Sequence, residues 1–360
     1  MAHAGVRVRL TRTSASNARK VLIVGPAWVG DMVMAGSLVA FLARSRPGAE
    51  IHVLAPTATL PVAARIPGVA ATHALPVRHG ELGLWVRRDV GRTLAPLGLE
   101  QAIVLPNSWK SALCPLFARI PVRTGWLGEA RYGVLNDVRR LDAGRLPRMV
   151  DRFVALGAEP FAAVPAAVPS PVLVADPARA AALRETFGLS AGGGVLALCP
   201  GAEYGPAKRW PARHFATVAA HHVRAGGSVW IFGAAGDRAA ADALIESVPA
   251  SDRERVHDLT GRTTLDQAID LMGAVDCVVT NDSGLMHVAA ALGRPLVAIY
   301  GSSSPEFTPP LAPRARVVRE GLSCSPCFDR TCRFGHTRCL EAIEPARVIE
   351  VLDDVAGTRS

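Results

Sequence analysis

The 360-residue chain has no apolar run of the roughly 18–20 residues that a membrane-spanning helix needs; its longest candidates are broken by Gly, Pro or charge. Residues 1–20 carry Arg7, Arg9, Arg12 and Arg19 among Ser and Thr, without the continuous apolar core of a secretory signal. Residues 1–19 therefore read as a basic, disordered arm, and the protein is expected to be soluble and cytoplasmic. In that reducing setting the seven cysteines are not expected to form structural disulfides. The chain also lacks a helix-turn-helix pattern, a paired Cys/His finger and any strand with interleaved aromatics, which argues against a nucleic-acid partner. A net charge of +9 and a pI near 9.7 favour anionic partners such as phosphorylated sugars or acidic lipid headgroups, although an arginine-rich composition raises pI by itself.

What is present is a βα alternation, twice. Residues 20–24, Lys-Val-Leu-Ile-Val, form a buried-strand pattern ending in Gly25-Pro26, and a helix is expected over 31–44. Strands at 51–54 and 101–105 follow, with a helical stretch at 61–65 between them. The pattern breaks at the Pro-rich residues 164–171, the natural linker, and resumes at Asp176-Pro177, a helix start with Asp at the cap and Pro in the first turn. Strands are then expected at 195–198, 228–232, 277–280 and 296–300, separated by helices over 211–225, 238–247, 265–273 and 284–292. Such alternation implies right-handed βαβ units and parallel sheets covered on both faces. The fold class is α/β: two Rossmann-like domains facing across a cleft, the GT-B architecture. Residues 20–168 make an N-terminal domain, 169–345 a C-terminal domain and 346–360 a terminal helix and tail. The loops after Val24, Leu198, Phe232 and Thr280 should line the cleft, because ligands in open α/β sheets lie beyond the C-terminal strand ends.

Three of these junctions carry chemistry. The first loop, Gly25-Pro26-Ala27-Trp28-Val29-Gly30-Asp31, is neither Gly-x-Gly-x-x-Gly nor a P-loop, and it puts the Asp31 carboxylate at a helix start, as an ordinary dipole-stabilised Asp or as a reactive group. The second, residues 200–211, contains Gly201, Glu203, Tyr204, Gly205, Lys208 and Arg209; its glycines admit a ligand to the backbone and Lys208 offers a cation to a diphosphate, unless the basic pair is merely solvated. The third, residues 280–287, is Thr-Asn-Asp-Ser-Gly-Leu-Met-His, where free backbone N–H groups form an anion site. There Asp282 or Ser283 can equally cap the helix, and His287 alone reads more simply as a buried histidine.

Together these segments resemble glycosyltransferase family 9, the ADP-heptose:lipopolysaccharide heptosyltransferases, from about Lys20 to the end of the chain. Residues 24–34, Val-Gly-Pro-Ala-Trp-Val-Gly-Asp-Met-Val-Met, resemble the heptosyltransferase II branch. So do Arg123-Thr124-Gly125-Trp126 with Arg131-Tyr132-Gly133, and residues 201–211. Branch I typically has a Thr-Thr pair where Glu203-Tyr204 stand. The resemblance implies that Asp31 is the general base for the acceptor hydroxyl, that Lys208 holds the donor diphosphate, that Asp282 contacts the heptose, and that Ser283, Gly284, His287, Glu203 and Tyr204 belong to the donor site. It also implies an inverting reaction without metal or other cofactor, and no Asp-x-Asp pair stands at these loops. The implied partners are ADP-heptose, heptosyl-Kdo2-lipid A and, peripherally, the anionic inner face of the inner membrane. Lys110, Arg123 and Arg131, with Arg139 and Arg140, are the cations expected to meet acceptor phosphate or carboxylate.

A fourth constellation, Cys324-x2-Cys327-x4-Cys332-x6-Cys339 with His336 inside it, has the spacing of a structural zinc site, of free thiols, or of disulfides. Rival readings of the whole are another GT-B sugar transferase, a sugar-nucleotide epimerase, or a basic protein that binds anionic lipid.

Overall fold

The computed structural model describes residues 18–78, 80–159, 167–190 and 192–357. The basic arm and the first part of the Pro-rich linker lie outside the described residues, except that residues 18 and 19 are included.

The N-terminal domain runs β1 (Lys20–Val24), α1 (Val29–Ser45), β2 (Glu50–Pro56), α2 (Leu60–Ala63), β3 (Val69–Leu75), α3 (Leu84–Leu94), β4 (Gln101–Val104), α4 (Leu113–Phe117), β5 (Val122–Trp126), β6 (Asp137–Arg139) and α5 (Met149–Gly157). The C-terminal domain runs α6 (Pro177–Phe187), β7 (Val195–Cys199), α7 (Ala212–Arg224), β8 (Ser228–Ile231), α8 (Arg238–Ser247), β9 (Val256–Asp258), α9 (Leu265–Gly273), β10 (Cys277–Asn281), α10 (Gly284–Ala291), β11 (Leu296–Ile299), β12 (Ala315–Val318), α11 (Arg338–Glu341) and α12 (Pro345–Ala356). Each domain holds one six-stranded sheet, in order β3-β2-β1-β4-β5-β6 and β12-β11-β10-β7-β8-β9, and every named pairing is parallel. Counted within its own domain, each sheet has the order 3-2-1-4-5-6. The strand order reverses between β1 and β4, and again between β7 and β10, so the loops after these strands lie at the switch points where α/β sheets bind ligands.

Central strands form where the sequence is continuously apolar. β7 and β10 are buried along their whole length, and β1 along all but its first residue, as a sheet covered on both faces requires. One apolar core crosses between the domains, joining Met32, Val33 and Leu38 of α1 and Phe153 of α5 to Met286 and Val288 of α10 and to Ile269 and Met272 of α9. The connector is pinned as well: Leu173 N–H donates to Ala291 O at 3.0 Å and Val174 N–H to Arg65 O at 3.0 Å. Asp176 caps α6 as expected, accepting from the N–H groups of Ala178 and Arg179. The terminal helix is a layer of the C-terminal domain, since Val348, Leu352 and Val355 of α12 are buried in the core beneath α7 and β11. Each such side chain contributes about 1.5–3 kcal/mol through burial.

Five strands lie outside the sequence expectations: β3, β5, β6, β9 and β12. All but β3 have five residues or fewer, and all five are partly exposed and carry polar or charged residues. Among the described residues no helix is long and apolar enough to cross a membrane.

Candidate active site

Two helices start at the cleft, one from each domain, and nearly touch. A Cβ on Gly30 would lie 2.7 Å from Cδ2 of His287, and one on Gly284 would lie 2.8 Å from Cβ of Val29. Only glycine at both places lets the N-termini of α1 and α10 approach this closely. Both helices turn the positive ends of their dipoles toward the cleft, so negative charge is favoured there.

Asp31 lies in the first turn of α1, but Trp28 is the N-cap and forms no side-chain capping bond. Burial raises the Asp31 carboxyl to about 6 from an ordinary 3.8; nearby Lys208 opposes the rise and nearby Asp282 adds to it. Groups from opposite domains therefore share one field, and Asp31 is poised to exchange a proton near neutrality.

The segment carrying Lys208 is held at its end. Trp210 is buried in the C-terminal core with Nε1–H donating to Ile343 O at 3.0 Å. Asn281 at the end of β10 accepts from Trp210 N–H at 3.0 Å and donates to Pro200 O at 2.7 Å, stapling the loop after β7 to the strand beside it. Lys208 Nζ consequently stands 2.5 Å from Asp282 Oδ2 and 4.9 Å from the centre of the Tyr204 ring. Ser303 Oγ also donates to Asp282. Tyr204 Oη donates to Phe328 O at 2.6 Å, and Arg330 covers the Tyr204 ring at 5.1 Å, so the cysteine-rich loop walls this side of the cleft. His287 is buried, and burial pushes it down to about 4; Asp282 opposes the shift and Lys208 reinforces it. It is a neutral imidazole at working pH.

Three cavities meet here. One of about 300 Å³ lies between the domains and is lined by Asp31, Glu203, Tyr204, Lys208, Asp282, Ser283, Gly284, His287 and Phe328. A second, about 530 Å³, lies in the N-terminal domain beneath the loops after β1 and β4. Asp31, Trp28 and Met149 line both. A third, about 200 Å³, lies in the C-terminal domain against Gly201, Ala202, Phe232, Asp237, Leu265 and Leu285, and shares Glu203, Ser283 and Gly284 with the first.

The structure thus brings the eight donor-side and base residues of the sequence reading to one cavity and divides the acceptor-side cations. Lys110 lines the N-terminal cavity, its ammonium donating to Gly80 O at 2.6 Å. Arg131 is placed elsewhere: it is fully buried, and its guanidinium is spent on Pro106 O at 2.6 Å and on Trp126 O. Arg123 likewise donates to Val134 O at 2.6 Å and Ile120 O at 2.7 Å. Arg139 binds Ala155 O and Ala158 O, each at 2.8 Å. These three hold loops together and do not line the cavity; Arg140 is exposed at the surface and does not line it either. The cavity's other cations are Arg78, Arg87 and Arg152, which no motif marks in the sequence. Ser303 and Asp237 were also missed, for the same reason.

The four clustered cysteines surround one small space of about 20 Å³ together with Asp329, Arg333 and His336. No disulfide joins them, and among the described residues no group of three or more His, Cys, Asp or Glu side chains is arranged to hold a metal ion.

The sequence profile of glycosyltransferase family 9 (heptosyltransferase) matches residues 87–338. The chain belongs to glycosyltransferase family 9. Within the family, it is 44% identical over 340 residues to lipopolysaccharide heptosyltransferase 2 of Escherichia coli K12, covering 93% of this chain and 97% of that one. Lipooligosaccharide heptosyltransferase 2 of Haemophilus influenzae is 43% identical over 307 residues, covering 83% and 88%. The solved structure of E. coli ADP-heptose LPS heptosyltransferase II superposes with a TM-score of 0.85 at 42% identity, covering 94% of this chain and 99% of that one. These relatives bear out the glycosyltransferase activity, the GT-B fold and the assignment to the heptosyltransferase II branch.

Proposed function

We propose that this family 9 enzyme moves heptose from ADP-L-glycero-D-manno-heptose to heptosyl-Kdo2-lipid A, with inversion and without a metal ion, at the cytoplasmic face of the inner membrane. The observation that carries this reading is that Asp31 lines both the N-terminal cavity and the interdomain cavity, with Lys208 and Asp282 on its far side. The acceptor sugar occupies the N-terminal cavity, the diphosphate and heptose the interdomain cavity, and adenosine the third. The acceptor hydroxyl gives its proton to the Asp31 carboxylate as its oxygen bonds to the anomeric carbon. The carbon–oxygen bond to the diphosphate breaks on the opposite side, which inverts the centre, and ADP leaves.

Lys208 and the N-terminus of α10 supply the positive charge that the departing diphosphate needs, which supports chemistry requiring no divalent ion. Neutral His287 packs against Gly30 and adds no cation to compete with Lys208. The test is incubation with ADP-heptose and heptosyl-Kdo2-lipid A, with EDTA present, reading ADP release, product mass and anomeric configuration by NMR. A product of added heptose mass with the opposite configuration is expected; a retained configuration, or no turnover without a divalent ion, overturns the mechanism.

A further inference from the structure

The described residues include ten exposed large apolar side chains, and five of them, Leu82 (49% exposed), Leu84 (38%), Trp85 (67%), Trp109 (39%) and Tyr132 (63%), fall on three segments around the mouth of the N-terminal cavity. The segments are tied to one another. Lys110 Nζ bonds Gly80 O at 2.6 Å, Trp109 N–H donates to Glu129 Oε2 at 2.7 Å, and Arg87 Nε–H, from the first turn of α3, donates to Leu82 O at 2.7 Å. They form one rim, at the end of the cavity assigned above to the acceptor.

Charge accompanies the apolar groups in a particular way. Arg88 lies over the Trp85 ring at 5.3 Å, and Arg78 and Arg92, on the same segment and helix, are exposed. The acids Glu81 and Glu129 are occupied by the backbone N–H groups of Arg78 (3.0 Å) and Trp109 (2.7 Å), and Asp89 lies 3.9 Å from Arg92. Aromatic rings with an apolar body and a polar edge, flanked by arginines and beside branched aliphatic side chains, suit the boundary between headgroups and acyl chains. A sugar alone would need a ring to stack on, not Leu82 and Leu84.

We propose that this rim docks the enzyme on an anionic phospholipid bilayer, residues 82–85, which lead into α3, entering the headgroup region so that the N-terminal cavity opens at the membrane surface. The inference rests on the lipid-linked acceptor proposed above. The vesicle-binding assay contains neither donor nor acceptor, so its failure leaves heptose transfer standing.

The full chain is sedimented with vesicles of phosphatidylethanolamine and phosphatidylglycerol, and separately with phosphatidylcholine vesicles. Wild type is expected to partition onto the anionic vesicles, and the double variant Leu82→Ser/Trp85→Ser at least tenfold less. Both side chains are exposed and line none of the three cavities described above, so kcat/KM on a fully deacylated, water-soluble acceptor stays within twofold of wild type. Arg88→Glu is expected to weaken binding to anionic vesicles and leave phosphatidylcholine binding unchanged. Equal partition of wild type and the double variant overturns the proposal. So does a wild-type dimer in sedimentation velocity that the double variant lacks while vesicle binding is unaffected, which would make the rim a contact between two copies.

Discussion

Replacing Asp31 by Asn keeps the side chain's shape and removes its ability to accept a proton, and the structure gives two consequences of opposite sign. General-base assistance is worth roughly 10²–10⁴-fold, so kcat should fall by about that factor, with ADP-heptose affinity nearly unchanged because Lys208 and Asp282 remain in place. Stability should move the other way. Burial lifts the carboxyl from 3.8 to about 6, so the folded protein holds that proton more tightly than the unfolded chain does. The stability linked to the proton is fully present below 3.8, declines as pH rises, and is lost above about 6. At about 1.4 kcal/mol per tenfold, the ionised carboxylate costs the wild-type fold roughly 1–3 kcal/mol at neutral pH, once its residual solvent contact is allowed for. Asn carries no such charge. Urea midpoints at pH 7.5 should therefore show the variant more stable than wild type, with the difference shrinking toward pH 4, while steady-state ADP release shows it nearly inactive. A variant that keeps kcat within threefold of wild type, or that is less stable at pH 7.5 as loss of a favourable helix-start charge requires, refutes the assignment.

For wild type, kcat should climb with pH through about 6 as Asp31 ionises, and the Asn variant should lose that limb. Lys208→Ala should raise the donor KM and lower kcat without changing acceptor KM, and Lys208→Arg should not restore activity, because a guanidinium fork cannot take the place of an ammonium held 2.5 Å from Asp282; unchanged donor kinetics would move the diphosphate site. Lys110→Ala and Arg78→Ala should raise the acceptor KM selectively, whereas Arg131→Ala should lower the unfolding midpoint, since it strands the carbonyls of Pro106 and Trp126; a selective acceptor effect in Arg131→Ala would contradict this division. Backbone N–H groups of Thr337, Phe334, His336 and Gly335 hold the Cys332 thiol below its ordinary range, while burial drives Cys114 to about 11 and Cys199 and Cys277 to about 12, so iodoacetamide at pH 7.5 should alkylate Cys332 first and those three last, as read by peptide mass mapping.

That the residues proposed for the donor side would share one cavity was legible in the sequence, because their placement is local. Residues 200–211 follow the wholly apolar β7 and residues 282–287 follow β10, whose first three residues are apolar, and a loop at that point in a βα unit faces the cleft whatever the rest of the chain does. The acceptor side was not, because an arginine's type does not say where its guanidinium ends. Arg123 and Arg131 found backbone carbonyls of loops up to 25 residues away in sequence, and Arg78 and Arg87 reached the cavity from segments with no motif. The missed strands have a similar cause. β3 carries Thr72 and His73 on a half-exposed edge, and β5 carries Arg123, Thr124 and Gly125, so their pairing depends on β2 and β4 beside them more than on any pattern of their own. The terminal helix escaped assignment to its domain because its apolar face becomes meaningful only once α7 and β11 lie beneath it.

The near-contact of α1 and α10 has a mechanical consequence. Where Gly30 faces His287 and Gly284 faces Val29, the domains are already as close as atoms permit. A relative rotation of the two halves about that contact would move each group in proportion to its distance from it. Asp31 is one residue from Gly30, and Asp282 two residues from Gly284, so the groups proposed to handle the proton and the sugar sit at the fulcrum and would shift least. Exposed Trp85, which lines neither the interdomain cavity nor the contact, would travel farther. On the proposed assignment, such a rotation would widen the outer ends of the cleft while the spacing between Asp31 and Asp282 stays nearly constant.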